Sequence, residues 1–165
     1  LDLDVNWHLI GTLQKNKVKY IIGKTHLIHS VNSVELAEEI SKRSAGNNVT
    51  TRILLQANVS GEESKHGFAP HELKPALDKI LDLPSIEVCG LMTMAPIETY
   101  EGQAREVFAK TRVIFEDLKS YTGLESWKVL SMGMSQDYKS AIYEGSTHIR
   151  IGTAIFGNRA EYKPL

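Results

Sequence analysis

Two Gly/Ser/Thr turns near one end of the sequence hold the residue types that could do chemistry. The first is Leu130-Ser131-Met132-Gly133-Met134-Ser135, and the second, after one short helix-like stretch, is His148-Ile149-Arg150-Ile151-Gly152-Thr153-Ala154-Ile155-Phe156-Gly157. Each is a short apolar run that ends in residues whose backbone N–H groups and hydroxyls can hold a phosphate at the start of a helix. Two such loops in succession fit one phosphate site, formed by Ser135, Gly152 and Thr153 with the backbone amides of Gly133 and Met134. Arg150 lies within the second run. A permanently charged guanidinium there needs an acceptor, and an acceptor on a bound ligand is one choice. The chemistry suggested is the holding of a phosphorylated cofactor or substrate.

These loops need a scaffold. Strand-like runs occupy residues 6–10, 27–31, 52–58, 86–92, 128–132 and 147–151, mostly as continuous apolar stretches of the kind found in a parallel sheet buried on both faces. Amphipathic segments separate them. Leu36, Ala37 and Ile40 share a face behind the cap-like pair Asn32 and Glu35. Leu73, Leu77, Ile80 and Leu81 follow Pro70, and Ala104, Val107, Phe108, Thr111, Phe115 and Leu118 make the longest helix. A short helix is expected over 137–144, ending at Gly145. Strand and helix alternate throughout, the pattern of an α/β protein.

A β/α barrel has eight such units in about 250 residues and often holds phosphate after strands seven and eight. Six units are visible. If the two Gly/Ser loops are those of strands seven and eight, the chain starts at strand three. The expectation is then a fragment lacking two units, roughly 60–80 residues at the barrel's usual spacing. The competing architecture is a complete, open doubly wound sheet. Gly11-Thr12-Leu13-Gln14 after the first strand is not the Gly-rich fingerprint such a sheet would carry.

Composition sets further bounds. The chain has 165 residues, 42% hydrophobic and 24% charged, with a net charge of −1, enough for one domain with a real core. Near-neutral charge without a basic stripe argues against nucleic acid as the main partner. No 18-residue apolar run or basic-then-apolar leader is present, so neither a membrane span nor a secretory signal is expected, and the cytoplasm is the default location. Cys89, the single cysteine, sits in an apolar segment and reads as a small buried hydrophobe. The histidines are scattered without ligand spacing, which argues against a metal site; His66 and His71 are expected to face solvent. His8 and Asn58, at strand positions, read equally as satisfied polar core groups or as ligand neighbours. Met92, Met94, Met132 and Met134 fit either core filling or a wall beside an aromatic ring. Ser135 could alternatively cap the helix that follows it, and Arg150 could be a structural ion-pair residue.

Several motifs in order then carry a resemblance. They are Trp-His-Leu-Ile-Gly-Thr-Leu-Gln-Lys-Asn-Lys over 7–17, Gln-Ala-Asn-Val-Ser over 56–60, Glu-Ser-Lys-His-Gly-Phe over 63–68, Gly-Leu-Met-Thr-Met over 90–94, 130–135 with Asp137, and Gly-Ser-Thr at 145–147 running through Gly157. The chain resembles the pyridoxal phosphate homeostasis protein family, whose fold is similar to the barrel domain of alanine racemase. The resemblance covers nearly the whole sequence. It implies a single-domain barrel of the alanine-racemase type, with residues 1–165 as its C-terminal portion. It also implies binding of pyridoxal 5′-phosphate in vitamin B6 and amino-acid homeostasis, without known catalytic turnover, by a monomer when intact. The cofactor-binding residues it implies are Ser131, Gly133, Met134, Ser135, Arg150, Gly152 and Thr153, with Asn58 and His8 as neighbours. The chain departs from the family pattern at one place. The family's Ala-Val-Ser-Lys type motif, whose lysine forms the Schiff base, is absent, as is the later Phe-Gly-Glu-Asn, so that lysine is expected upstream of Leu1. Lys15, Lys17 and Lys65 read as solvated surface lysines. Two alternatives stand beside this reading. A pyridoxal phosphate-dependent racemase or decarboxylase would bring a second, β-rich domain, and the few residues after Gly157 do not supply one. A sugar-phosphate aldolase or isomerase barrel would need a lysine, or a Glu/His pair, at the strand ends, and no clear pair is visible.

Overall fold

The computed structural model describes residues 4–61, 66–96, 100 and 102–157. The Glu63–Lys65 part of the motif at 63–68, and with it Lys65, lies outside the described residues. Six strands form one sheet: β1 (His8–Leu9), β2 (Leu27–Val31), β3 (Thr51–Ala57), β4 (Ile86–Thr93), β5 (Val129–Met134) and β6 (His148–Arg150). They lie side by side in chain order, and every pairing is parallel. That order decides between the two architectures. A doubly wound sheet reverses direction at a switch point and carries helices on both faces, whereas right-handed crossovers between strands laid down in order put every helix on one side. The sheet is therefore the open wall of a β/α barrel.

The helices are α1 (Val34–Gly46), α2 (Leu73–Leu81), α3 (Gln103–Thr122), α4 (Tyr138–Tyr143) and α5 (Thr153–Phe156). A six-residue 3-10 helix, Lys15–Tyr20, stands between β1 and β2. The two-residue alternation of a strand sorts the apolar residues onto two faces. Ile28, Ile53, Leu55, Leu91, Leu130 and Met132 pack against Leu36, Ile40, Leu77, Phe108, Phe115 and Ala141 of the helical layer. Leu27, Leu54, Cys89 and Met92 face the other way and make a second, small cluster inside the wall.

Two expectations for helix starts change. Ser33, not the pair Asn32 and Glu35, caps α1, its hydroxyl accepting from the Leu36 amide at 3.2 Å. Ser135 does not cap the helix that follows it, because α4 begins only at Tyr138, behind Asp137. Pro70 opens a short 3-10 turn that leads into α2, as a first-turn proline should. Gly90 and Gly133 mark close approaches. A Cβ on Gly90, at φ +143°, would stand 2.0 Å from the Val129 carbonyl oxygen, and one on Gly133, at φ +95°, would stand 2.5 Å from the Cβ of Ala141. Glycine at 133 thus lets α4 lie directly on the end of β5. No helix among the described residues is long and apolar enough to cross a membrane.

Candidate functional site

β5 ends at Met134, and the chain turns at once. The Asp137 carboxylate accepts the Met134 amide at 2.5 Å, while the Asp137 amide donates to the Met134 carbonyl at 3.2 Å, closing a turn that starts α4. β6 is fastened beside β5 at its other end. Thr147 Oγ1 accepts the Leu130 amide at 2.8 Å, and the Ser146 hydroxyl lies 2.9 Å from the Met132 carbonyl, so this Ser-Thr pair sets strand register. The two Gly/Ser/Thr loops are joined by a single side chain. Ser135 Oγ accepts from the amides of Gly152 and Ala154, each at 3.2 Å, capping the short α5 from the neighbouring loop. Two accepted bonds leave the Ser135 O–H proton to donate elsewhere. The Thr153 hydroxyl makes no hydrogen bond among the described residues.

A cavity of about 550 Å³ opens at this place. Every segment lining it sits at or after the carboxyl end of a strand: Ile10 after β1, Met94–Pro96 after β4, Met134 at the end of β5 with 135–137 after it, and Arg150 at the end of β6 with 151–153 after it. Of the residues expected at the site, Met134, Ser135, Arg150, Gly152 and Thr153 line this space together. Gly133 and Ser131 lie buried behind it. The Met134 amide is committed to Asp137, so it contributes structure to the loop in place of a free donor. Asn58 lines a narrow crevice with Gln56, His66 and Met94, apart from the Ser135–Thr153 end. His66 and His71 are exposed. The methionines divide: Met94 and Met134 line the cavity, Met92 fills the inner cluster, and Met132 packs under the helices.

Arg150 is half-buried and has no carboxylate partner among the described residues. Nη1 donates to Ser131 Oγ and Nη2 to the Thr93 carbonyl, each at 2.8 Å. Burial pushes its pKa down to about 10, an effect the Asp137 carboxylate opposes. The guanidinium still carries its charge at neutral pH, and Arg150 lines the cavity. Behind it lies a group of rings that the linear spacing did not reveal. His26, His29 and His148 gather around His8, whose ring centroid lies 5.1–5.9 Å from theirs, and the His29 and His148 centroids are 6.3 Å apart. His29 Nε2 lies 3.0 Å from His8 Nδ1, and His29 Nδ1 lies 2.9 Å from Ser131 Oγ. Burial, then the neighbouring charges of His8, Arg150 and His148, lower the His29 pKa to about 3. Burial also lowers His8 and His148, with His148 and His26 adding to the shift of His8. Among the described residues no group of three or more His, Cys, Asp or Glu is placed to hold a metal ion. The available signal for the cluster was period two: Leu27 and His29 share a face of β2, as Ser131 does with Val129 on β5.

The sequence profile of the alanine racemase N-terminal domain matches residues 2–160. A pyridoxal phosphate homeostasis protein of Aquifex aeolicus is 46% identical over 158 residues, 96% of this chain and 69% of that protein. The chain belongs to the pyridoxal phosphate homeostasis protein family. It spans about two thirds of the length of the curated relatives it matches. Among solved structures of this family, PipY of Synechococcus elongatus with PLP bound superposes with a TM-score of 0.85 at 32% identity, covering 94% of this chain and 72% of that one. Alanine racemase of Clostridium difficile superposes with a TM-score of 0.77 at 14% identity, covering 95% of this chain and 41% of that enzyme, a likeness of fold alone. The homeostasis-protein family thus has the alanine racemase type of barrel, with six parallel strands of it in this chain.

Proposed function

We propose that the cavity holds pyridoxal 5′-phosphate for vitamin B6 and amino-acid homeostasis, with the phosphate at Ser135, Gly152 and Thr153 and the pyridine nitrogen toward Arg150. We read residues 1–165 as the C-terminal portion of a single-domain barrel that works in the cytoplasm as a monomer when intact, with a small molecule rather than nucleic acid as its partner. The observation that carries the reading is Arg150, a charged side chain at the floor of the cavity whose clasp contains a hydroxyl and a carbonyl but no carboxylate. The residues fit the group. The Ser135 proton and the Thr153 hydroxyl are donors on the cavity wall, and Met94, Ala95, Pro96 and Ile151 give it the apolar sides that a flat ring needs. Bound there, the group would supply a reactive aldehyde on an electron-withdrawing ring. Arginine can only donate, so a ring nitrogen facing Arg150 stays unprotonated and draws electrons less strongly than one paired with a carboxylate. That favours holding the cofactor over carbanion chemistry. The other proteins of this family carry the same implication in their name, and a PLP-bound structure exists for one of them.

The test is an absorbance titration of the full-length protein with pyridoxal phosphate. Thr153→Val keeps the side-chain shape and deletes one donor to a charged acceptor, so affinity should fall about tenfold. Unchanged affinity would remove the hydroxyl from the site.

A further inference from the structure

We propose that His29, acting through Ser131, is the positioning residue that fixes the Arg150 guanidinium as the charged donor on the cavity floor. The proposal rests on the reading of the cavity as a site for a phosphorylated pyridine, and it concerns residues that do not reach the cavity themselves.

Arg150 Nη1 can only donate, so Ser131 Oγ accepts from it. Ser131 is fully buried, and its one remaining proton needs an acceptor. His29 Nδ1 stands 2.9 Å away. With Nδ1 accepting, a neutral His29 carries its proton on Nε2, and that proton reaches His8 Nδ1 at 3.0 Å. Every proton then has a partner, in one direction: Arg150 to Ser131, Ser131 to His29, His29 to His8. A protonated His29 would break this order. Its Nδ1–H would point at a hydroxyl oxygen already receiving a guanidinium N–H, and a second positive charge would stand one hydroxyl away from Arg150. The groups that face His29 are His8 on β1, Ser131 on β5, and His148 and Arg150 on β6. None is an acid. Ser131 is 0% and His29 2% exposed, so the pair is closed off from bulk solvent. The second clasp, from Arg150 Nη2 to the Thr93 carbonyl, closes the other end of the guanidinium. Held at both ends, the guanidinium has its plane and orientation fixed, which is what donation to a single in-plane acceptor such as a ring nitrogen requires.

The experiment uses the full-length protein and two probes, pyridoxine 5′-phosphate, which has the ring and the phosphate but no aldehyde, and inorganic phosphate. His29→Leu removes the acceptor; Ser131→Ala removes the relay atom by a different route. Each should weaken pyridoxine 5′-phosphate at least fivefold. Each should also move the ultraviolet band of the bound ring toward that of the nitrogen-protonated form, because a loosened Arg150 no longer excludes the proton. Inorganic phosphate should stay within twofold of the unaltered protein. His29→Asn puts a carbonyl oxygen where Nδ1 stood and should restore both affinity and spectrum to within twofold. Three results would overturn the proposal: no change in either probe, parallel weakening of both probes, or His29→Asn behaving like His29→Leu. If the unaltered protein binds neither probe, or if the two do not compete, the reading of the cavity itself falls and the relay falls with it.

Discussion

His29 has a folded pKa of about 3 against about 6.5 in an unfolded chain, and this difference links stability to pH. Below pH 6.5 the unfolded chain takes up a proton that the folded one refuses. The His29 contribution is therefore complete above pH 6.5 and is lost progressively as pH falls toward 3. Between pH 7 and pH 5 the loss from this one ring is about 2 kcal/mol, in the direction to which His8 and His148 add. Denaturant unfolding at the two pH values measures it. The unaltered full-length protein should lose stability on acidification, and His29→Asn should flatten the slope by about one proton; equal slopes would show that His29 titrates normally. Little of this was legible in the sequence. Arg150, Ser135, Gly152 and Thr153 stood out because their types and their place after strand-like runs carry meaning locally. The histidine cluster did not, because its members sit on three different strands and a loop and meet only through the curvature of the sheet. Sequence spacing reports neighbours along a helix or strand, not across a wall.

At the scale of the elements, the six strands were legible to within a few residues because continuous apolar runs bounded by turn residues have few other uses. The short helix expected over 137–144 is α4, whereas α5 was not read from the sequence. α5 has four residues, too few for a periodic pattern, and it is capped from the neighbouring loop, by Ser135 on the Gly152 and Ala154 amides, while Asp137 at the start of α4 turns its carboxylate back onto the Met134 amide of β5. The 3-10 helix Lys15–Tyr20 escaped notice for a similar reason, since three of its six residues are lysines and only Val18 is buried. A prediction about Gly133 belongs here. Gly133→Ala adds a Cβ 2.5 Å from the Cβ of Ala141 at a backbone angle of φ +95°. It should cost roughly 2–4 kcal/mol and weaken pyridoxal phosphate binding, because α4 must lift from β5 and take the Ser135 loop with it. Ala141→Gly in the same chain removes the steric part and should recover part of both losses. Recovery of neither would place the damage in the backbone angle alone.

For the whole molecule, parallel strands in chain order place the cavity walls at the carboxyl ends of β1, β4, β5 and β6, and the same order rules out the doubly wound alternative. The two edges of the sheet, β1 and β6, carry exposed apolar residues nearby: Trp7 is 68% exposed and Phe156 81%. Unpaired parallel edges flanked by such residues favour association, so residues 1–165 expressed alone should be less stable and more prone to associate than the full-length protein, as light scattering at equal concentration would show. Borohydride reduction in the presence of pyridoxal phosphate should label the full-length protein at one lysine outside residues 1–165; stoichiometric labelling of a lysine within them would contradict that placement. The central claim is where the ligand lies. A crystal structure of the full-length protein with pyridoxal phosphate tests it directly. The account predicts phosphate oxygens in hydrogen-bond contact with Ser135 and Thr153 beside Gly152, and the ring nitrogen facing an Arg150 still clasped by Ser131 and the Thr93 carbonyl. A phosphate bound away from these loops, or a ring nitrogen paired with a carboxylate, would contradict it.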